Sequence, residues 1–172
     1  MEGIFIVYSR MSKLRNPEEE IARLNEKLKE YERLIDELST PIIPSVIPNT
    51  ILVPLTGALN EKRLDDIKTR VLFSIQKQQG DTVLIDFTGI SHLEVETLGL
   101  PYLIHQIGEI QSGLKLMGVE TIFVGFSPKF AHDIISSGVD TSRFITHATF
   151  RDGLRFLMKK KGLEFKQVEP LS

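Results

Sequence analysis

The residues best suited to chemistry lie in the stretch 91-SHLEVETLGLP-101, which follows the apolar run 82-TVLIDFTG-89. His92, Glu94 and Glu96 alternate along it, so an extended loop would place the three side chains on one side. Their nitrogen and oxygen atoms could hold a metal ion, but two or three such ligands without a thiolate are a weak signal for a metal site. A solvated loop face explains these residues better, and we predict neither a metal nor a cofactor.

Motifs of other catalytic sites are absent from the sequence. It has no Walker phosphate-binding loop and no GxGxxG motif after a strand, and its four histidines lie on separate predicted elements. Cysteine is absent, which excludes disulfides and thiol nucleophiles. Ser127 lacks the second glycine of a hydrolase nucleophile motif and is better explained as a helix cap. The sequence therefore predicts a protein that is not an enzyme.

The composition is that of an ordinary globular protein. Hydrophobic residues make up 41% of the 172 positions, charged residues make up 26%, and the formal net charge is −2. This balance predicts binding neither to nucleic acid nor to a membrane surface. The apolar runs are much shorter than the ~20 residues of a membrane-spanning helix, and the start does not have the pattern of an export signal. We therefore expect the protein in the cytoplasm.

Strand patterns alternate with helix patterns through most of the chain. Strands are predicted at 51–57, 82–87, 120–126 and around 143–147, with a possible short strand at 42–47. Helices are predicted from Asn60 to Gly80, from about 97 to 113, from Ser127 to Gly138, and after Thr149. This order predicts an α/β domain with one mainly parallel sheet flanked by helices.

The segment 16–40 predicts a helix of another kind. Its apolar residues are spaced alternately by three and four positions, as in the seam of a coiled coil, and the other positions are mostly charged. The seam residues are Ile21, Leu24, Leu28, Tyr31, Ile35 and Leu38. We expect this helix to form a homodimer, although a single helix packed on its own domain would show a similar pattern.

The pattern divides the chain into four parts. We predict a flexible N-terminus at 1–15, too short for a sensor domain, and a coiled-coil linker helix at 16–40. The α/β domain would cover 41–161, and a C-terminal tail would cover 162–172.

Several motifs resemble one known family. The stretches 37-ELSTPIIP-44, 51-ILVPLTGALNEKR-63, 83-VLIDFTGI-90 and 123-FVGFSPKFAHDI-134 resemble the STAS domains of stressosome proteins of the RsbR and RsbS type, relatives of the anti-sigma factor antagonists. The resemblance covers roughly residues 37–160. It implies a STAS fold, a dimerising linker helix, and partner-switching control of a general stress sigma factor. It also implies assembly with RsbS-like or RsbR-like STAS proteins and binding of an RsbT-like serine/threonine kinase.

The resemblance further implies a phosphoacceptor Ser or Thr, usually after an Asp, at the start of the helix that follows the IDxTG strand. Counting without gaps from Asp86 leads to Val95, which has no hydroxyl. Matching the local pattern leads instead to Thr97, at the cost of two extra loop residues. The weaker candidates are Ser91 and Thr88.

Pro101 favours Thr97 as the start of this helix. A helix that began at Glu94 or Val95 would carry Pro101 about two turns inside, which costs ~3 kcal/mol. A helix capped by Thr97 would place Pro101 in its first turn, where the missing N–H matters little. We therefore predict that Thr97 caps the helix and is the phosphoacceptor.

The surface predicted to face the kinase or other partners comprises Asp86, Thr88, Ser91, Glu94, Val95, Glu96 and Asp133. Three features depart from the family pattern. The acid before the acceptor is Glu96, the helix after it is about one turn longer than usual, and Asp133 replaces the second threonine of RsbR-type proteins.

A second hypothesis is a stand-alone STAS module that binds a small ligand or nucleotide. Its site would lie near Asp86, Thr88 and Ser127, because the carboxyl ends of strands are the usual ligand site of α/β sheets.

Overall fold

A computed structural model of the protein describes residues 16–39, 41–138 and 140–166. The predicted flexible N-terminus at 1–15 and the end of the predicted tail, at 167–172, lie outside the described residues. The side chains of the seam residues Ile35 and Leu38 are also outside them. Contacts divide the chain after Leu38 into two compact units.

The first unit contains the helix α1, Pro17–Ser39. Asn16 precedes it, and the Asn16 Oδ1 accepts a hydrogen bond of 3.3 Å from the Glu18 N–H, as expected of a helix cap. Three glutamates lie in the first turn, where the positive end of the helix dipole stabilises negative charge. The seam side chains of Ile21, Leu24, Leu28 and Tyr31 are between 52% and 58% exposed. The predicted helix is present, and the coiled coil remains a prediction.

The second unit is an α/β domain. Its strands are β1 (Ile43–Pro44), β2 (Thr50–Thr56), β3 (Thr82–Gly89), β4 (Glu120–Val124) and β5 (Ile145–His147). Its helices are α2 (Glu61–Gln78), α3 (His92–Leu98), α4 (Leu100–Leu116), α5 (Pro128–Ser136) and α6 (Phe150–Lys160). The sheet order is β1-β2-β3-β4-β5; β1 pairs antiparallel with β2, and the other pairs are parallel. This architecture confirms the predicted fold class.

The core lies on both faces of the sheet. Val83, Ile85 and Phe87 of β3 point to the face that carries the apolar sides of α2 and α4. Leu84 points to the other face, where it packs with Leu157 of α6. Burial on both faces explains the continuous apolar sequence of β3. No helix in the described part of the chain is long and apolar enough to span a lipid bilayer.

The cap residues predicted for three helices are confirmed. Asn60, Ser127 and Thr149 each accept a hydrogen bond from the backbone N–H three residues ahead. The helix predicted to end at Gly80 ends at Gln78, and Gln79 takes the left-handed conformation after it, with φ 51°. A Cβ at Gly80 would lie 2.5 Å from the Ile75 Cδ1, so a larger residue there would require the Ile75 side chain to shift.

The predicted helix from about 97 to 113 is two helices. Gly99, with φ 88°, separates α3 from α4. Glycine has no Cβ, so it adopts a positive φ without a clash, and this conformation interrupts the helix at Gly99.

Candidate functional site

The end of β3 is fixed by a hydrogen-bonded turn. The Asp86 Oδ1 accepts hydrogen bonds from the Thr88 N–H, at 2.8 Å, and from the Thr88 Oγ1, at 2.6 Å. Asp86 is half-buried, and Thr88 is exposed. A carboxylate that bonds the backbone two residues ahead stabilises a turn. Asp86 therefore sets the direction in which the chain leaves the sheet toward α3.

Gly125 packs against this turn and was missed by sequence reasoning. A Cβ at Gly125 would lie 2.3 Å from the Thr88 Oγ1 and 2.6 Å from the Asp86 Oδ1, and its φ is 80°. Any other residue would push the Asp86 turn away from the end of β4. The only hint in the sequence was that Gly125 and Pro128 belong to the stretch 123-FVGFSPKFAHDI-134. The contact of Gly125 with a turn about 40 residues earlier along the chain is visible only in the fold.

Helix α3 begins at His92 with Ser91 as its cap, and the prediction that Thr97 caps the helix is wrong. The Ser91 Oγ accepts from the Glu94 N–H at 3.3 Å, and the Glu94 Oε2 accepts from the Ser91 N–H at 2.6 Å. This reciprocal pair is a capping box, and its sequence signature, Ser-x-x-Glu, was there to be read. The argument from Pro101 failed because Gly99 starts a second helix, in whose first turn Pro101 lies.

Thr97 lies in the last turn of α3. Its side chain is exposed, and its Oγ1 donates a hydrogen bond of 2.8 Å to the Leu93 carbonyl oxygen, four residues back. Val95, the alternative from ungapped counting, is only 3% exposed and belongs to the core. Val95 therefore does not face outward as predicted, and it anchors α3 to the domain.

A charged contact joins α3 to α5. The Glu96 Oε1 lies 2.8 Å from the His92 Nε2 and 3.5 Å from the Lys129 Nζ, and the Lys129 Nζ also contacts the His92 Nε2. The structure thus brings His92 and Glu96 together, but Glu94 is occupied with the Ser91 cap. Among the described residues no cluster of His, Asp and Glu side chains is arranged to hold a metal ion.

Asp133 lies on the half-buried side of α5. Its Oδ1 is 3.5 Å from the Nδ1 of the neighbouring His132. Helix α5 itself packs against α3. Asp133 therefore lies on a helix that packs against α3. The contact of its carboxylate is with His132 of the same helix.

Comparison with known proteins gives RsbT co-antagonists and blue-light photoreceptors among the relatives. No family model matches the chain. The chain is 31% identical over 121 residues to the RsbT co-antagonist protein RsbRA of Bacillus subtilis, a match that covers 70% of this chain and 42% of the relative. It is 28% identical over 122 residues to a blue-light photoreceptor of Listeria monocytogenes, covering 71% of this chain and 46% of the relative. The chain spans less than half the length of these curated relatives.

Solved structures share the fold. An RsbS variant from Moorella thermoacetica has a TM-score of 0.56 at 18% identity, covering 72% of this chain and 98% of that one. A chain from the stressosome, described as a signal integration and transduction hub, has a TM-score of 0.56 at 21% identity, covering 70% of this chain and 98% of that one. These likenesses confirm the predicted STAS-like sheet and helices.

Proposed function

The chain carries a STAS domain of the RsbR and RsbS type, and we propose that it is a non-enzymatic regulator that works by partner switching. In this proposal it binds an RsbT-like serine/threonine kinase and assembles with RsbS-like or RsbR-like STAS proteins. The complex would control a general stress sigma factor. The observation that carries the proposal is the similarity to an RsbT co-antagonist over 121 residues, 70% of this chain.

The kinase-facing surface we propose is the exposed side of α3 with the turn before it. Ser91 and Thr97 present hydroxyl groups there, and Leu93 is 70% exposed between them. An exposed leucine flanked by hydroxyl and carboxylate groups suits a protein partner that buries the apolar side chain and reads the charge. The capping box and the buried Val95 hold this short helix in place from below.

Phosphorylation at Thr97 would loosen α3. The phosphoryl group replaces the hydrogen that Thr97 donates to the Leu93 carbonyl, so the 2.8 Å hydrogen bond is lost. It also adds nearly two negative charges at the C-terminal end of a helix, where the dipole disfavours them, and beside Glu96. The added charge would compete with Glu96 for Lys129, 3.5 Å from that carboxylate. The switch would therefore change the shape of the partner-facing surface as well as its charge.

Ser91 is the second candidate phosphoacceptor. It caps the N-terminal end of α3, where a phosphate would meet free backbone N–H groups and stabilise the turn. Modification at Ser91 and at Thr97 would therefore have opposite effects on α3. Thr88 is the weakest candidate, because its hydroxyl is held by Asp86.

Phosphosite mapping by mass spectrometry tests the proposal. The full chain is incubated with ATP and the RsbT-like kinase of the same organism, and Thr97→Val and Ser91→Ala are treated in parallel. We expect phosphate on Thr97, its loss in Thr97→Val, and no change in Ser91→Ala. Phosphate on Ser91 would move the acceptor and keep the function.

Kinase binding is measured separately on the unmodified chain. Absence of both phosphate and a complex with the kinase would contradict the proposed function. A complex without phosphate would identify a fixed scaffold protein.

The ligand-binding alternative is less well supported by the geometry. The Asp86 Oδ1 already accepts two hydrogen bonds, and the Ser127 Oγ is occupied as the cap of α5. Gly125 packs so closely against Asp86 and Thr88 that even a Cβ at this position would collide with them. A small ligand at this end of the sheet would have to break these contacts, so we prefer the partner-switching function.

A further inference from the structure

A pocket lined by both polar and apolar groups lies at the opposite end of the parallel strands from the proposed partner-facing surface. It has a volume of about 580 Å³, within the range of small-molecule sites. Its walls include Gln111, Ser112 and Lys115 of α4, Thr121 of β4, and Arg143 and Ile145 at the start of β5. The pocket exists because β5 pairs with β4 only from Ile122 onward, which leaves the first residues of β4 uncovered on that side.

Two positive side chains on the wall of this pocket have no carboxylate partner. Within the described residues, neither Lys115 nor Arg143 has a carboxylate oxygen within 4.0 Å. The one carboxylate on the pocket wall is Glu120, which forms an ion pair with Lys160 of α6. Hydrogen bonds from Ser142 lower the pKa of Asp140, and the nearby charge of Arg143 lowers this pKa further. The pocket wall therefore carries an excess of positive charge.

The guanidinium of Arg143 lies beside α4 and an aromatic ring, and no described residue is recorded as accepting a hydrogen bond from it. It lies 4.9 Å from the centre of the Phe144 ring, and a Cβ at Gly108 of α4 would come within 3.2 Å of its Nη2. The backbone of the same residue is tied to α4, since the Gln111 Nε2 donates a hydrogen bond of 2.8 Å to the Arg143 carbonyl. A planar guanidinium that packs on an aromatic ring can still direct several N–H donors toward an oxyanion.

A buried hydroxyl on the same pocket wall is also without a partner. Thr121 is 4% exposed, and within the described residues its Oγ1 has no hydrogen-bond partner. Such a group is costly to bury and is usually satisfied by a ligand, a water molecule or another polar group. The Oγ1 itself is not exposed to the pocket in this structure, so an oxyanion would supply the missing acceptor once the side chains above the hydroxyl move aside.

We propose that this pocket binds the oxyanion group of a small molecule, a phosphate or a carboxylate, through Arg143, Lys115 and the Thr121 hydroxyl. This site is separate from the proposed phosphoacceptors on α3, because β4 runs from the pocket at its start to Gly125 after its end. The proposal does not depend on the partner-switching function.

Titration of the full chain with inorganic phosphate, followed by amide resonances at constant ionic strength, tests this proposal. We expect saturable shifts at residues 119–121 and 143–145. Arg143→Gln and Lys115→Gln should each raise the dissociation constant about tenfold, because each removes one charge-assisted hydrogen bond. Lys159→Gln removes an exposed cation from α6 outside the pocket and should leave the constant unchanged.

Thr121→Val separates binding from folding. Valine has nearly the same shape and no hydroxyl, so it should raise the midpoint of thermal unfolding while weakening phosphate binding. Shifts that never saturate, or equal binding by wild type, Arg143→Gln and Lys115→Gln, would overturn the proposal. A parallel titration with acetate distinguishes the two sources of the oxyanion: tighter binding of acetate indicates a carboxylated ligand, and tighter binding of phosphate indicates a phosphorylated one.

Discussion

Helices α1 and α2 carry similar apolar patterns and bury them very differently. In α2 the apolar row of Leu64, Ile67, Val71 and Ile75 is at most 2% exposed, because it faces the sheet. In α1 the apolar seam of Ile21, Leu24, Leu28 and Tyr31 is more than half exposed. Periodicity therefore predicts that a helix forms but does not say what covers its apolar side. For α1 we propose that the cover is a second copy of the same helix, which the a/d spacing fits.

The largest effect should come from truncating the covered row. Ile67→Ala removes a side chain that is 0% exposed and leaves a cavity between α2 and the sheet. We expect a loss of about 3 kcal/mol in the free energy of unfolding of the domain. Urea unfolding, followed by amide exchange of β3, would measure it.

Leu28→Ala is the matched control in the uncovered seam. It removes a comparable side chain that is 57% exposed, so the exchange of β3 should change by less than about 0.5 kcal/mol. Equal losses of unfolding free energy in the two variants would show that α1 is covered by its own domain. The contrast between the seam of α1 and the buried row of α2 would then be wrong.

The second effect concerns association. Leu28→Asp places a charge in the seam of α1, and we expect a dimer to become a monomer because a coiled coil cannot bury an unpaired carboxylate. Ala22→Asp adds the same charge one position after a seam residue, outside the apolar row, and should leave the dimer intact. Size-exclusion chromatography with light scattering measures the masses. A wild-type monomer at tens of micromolar, or dimers in both variants, would contradict a coiled coil through this seam.

Local sequence signals specified much of the fold. The caps at Asn60, Ser127 and Thr149 were read correctly because capping involves residues within one turn of each other. The order of strands and helices followed from the change between periods of about two and 3.6 residues. These features depend on neighbours in the chain, which a sequence displays directly.

The candidate site was harder to read because two local signals competed. Pro101 and Ser91 both mark helix starts, and only Gly99, with its φ of 88°, reconciles them by ending one helix and preceding the next. The need for glycine at 125 comes from a contact with Asp86 and Thr88, on another strand end. Such tertiary contacts leave no periodic pattern, so the sequence could not reveal them.

The smallest effect concerns pH and the domain alone. Asp81, before β3, is partly desolvated, which by itself raises the pKa of its carboxyl group, but the net pKa is lowered by hydrogen bonds from Lys161 and Thr82, at 2.6 and 2.7 Å. A carboxylate with a lowered pKa in the folded state stabilises the fold above the unfolded pKa of about 3.9, and this contribution is lost as the pH falls through the folded pKa. Since the Asp81 side chain is 53% exposed, the contribution should be below about 1 kcal/mol.

Asp81→Asn tests this linkage by urea unfolding at neutral pH and at about pH 2, below the ordinary carboxylate range. The variant should be less stable than wild type at neutral pH, and most of the difference should disappear in acid, where both residues are uncharged. Asp66→Asn changes an exposed carboxylate on α2 and should show a smaller difference at neutral pH. A deficit of Asp81→Asn that is equally large at both pH values would mean that Asp81 acts through neutral hydrogen bonds and not through its charge. Lys161, just after α6, donates hydrogen bonds to the Asp81 carboxylate and to the Pro48 carbonyl. In that case these hydrogen bonds would hold the end of α6 against the start of β3 at either pH.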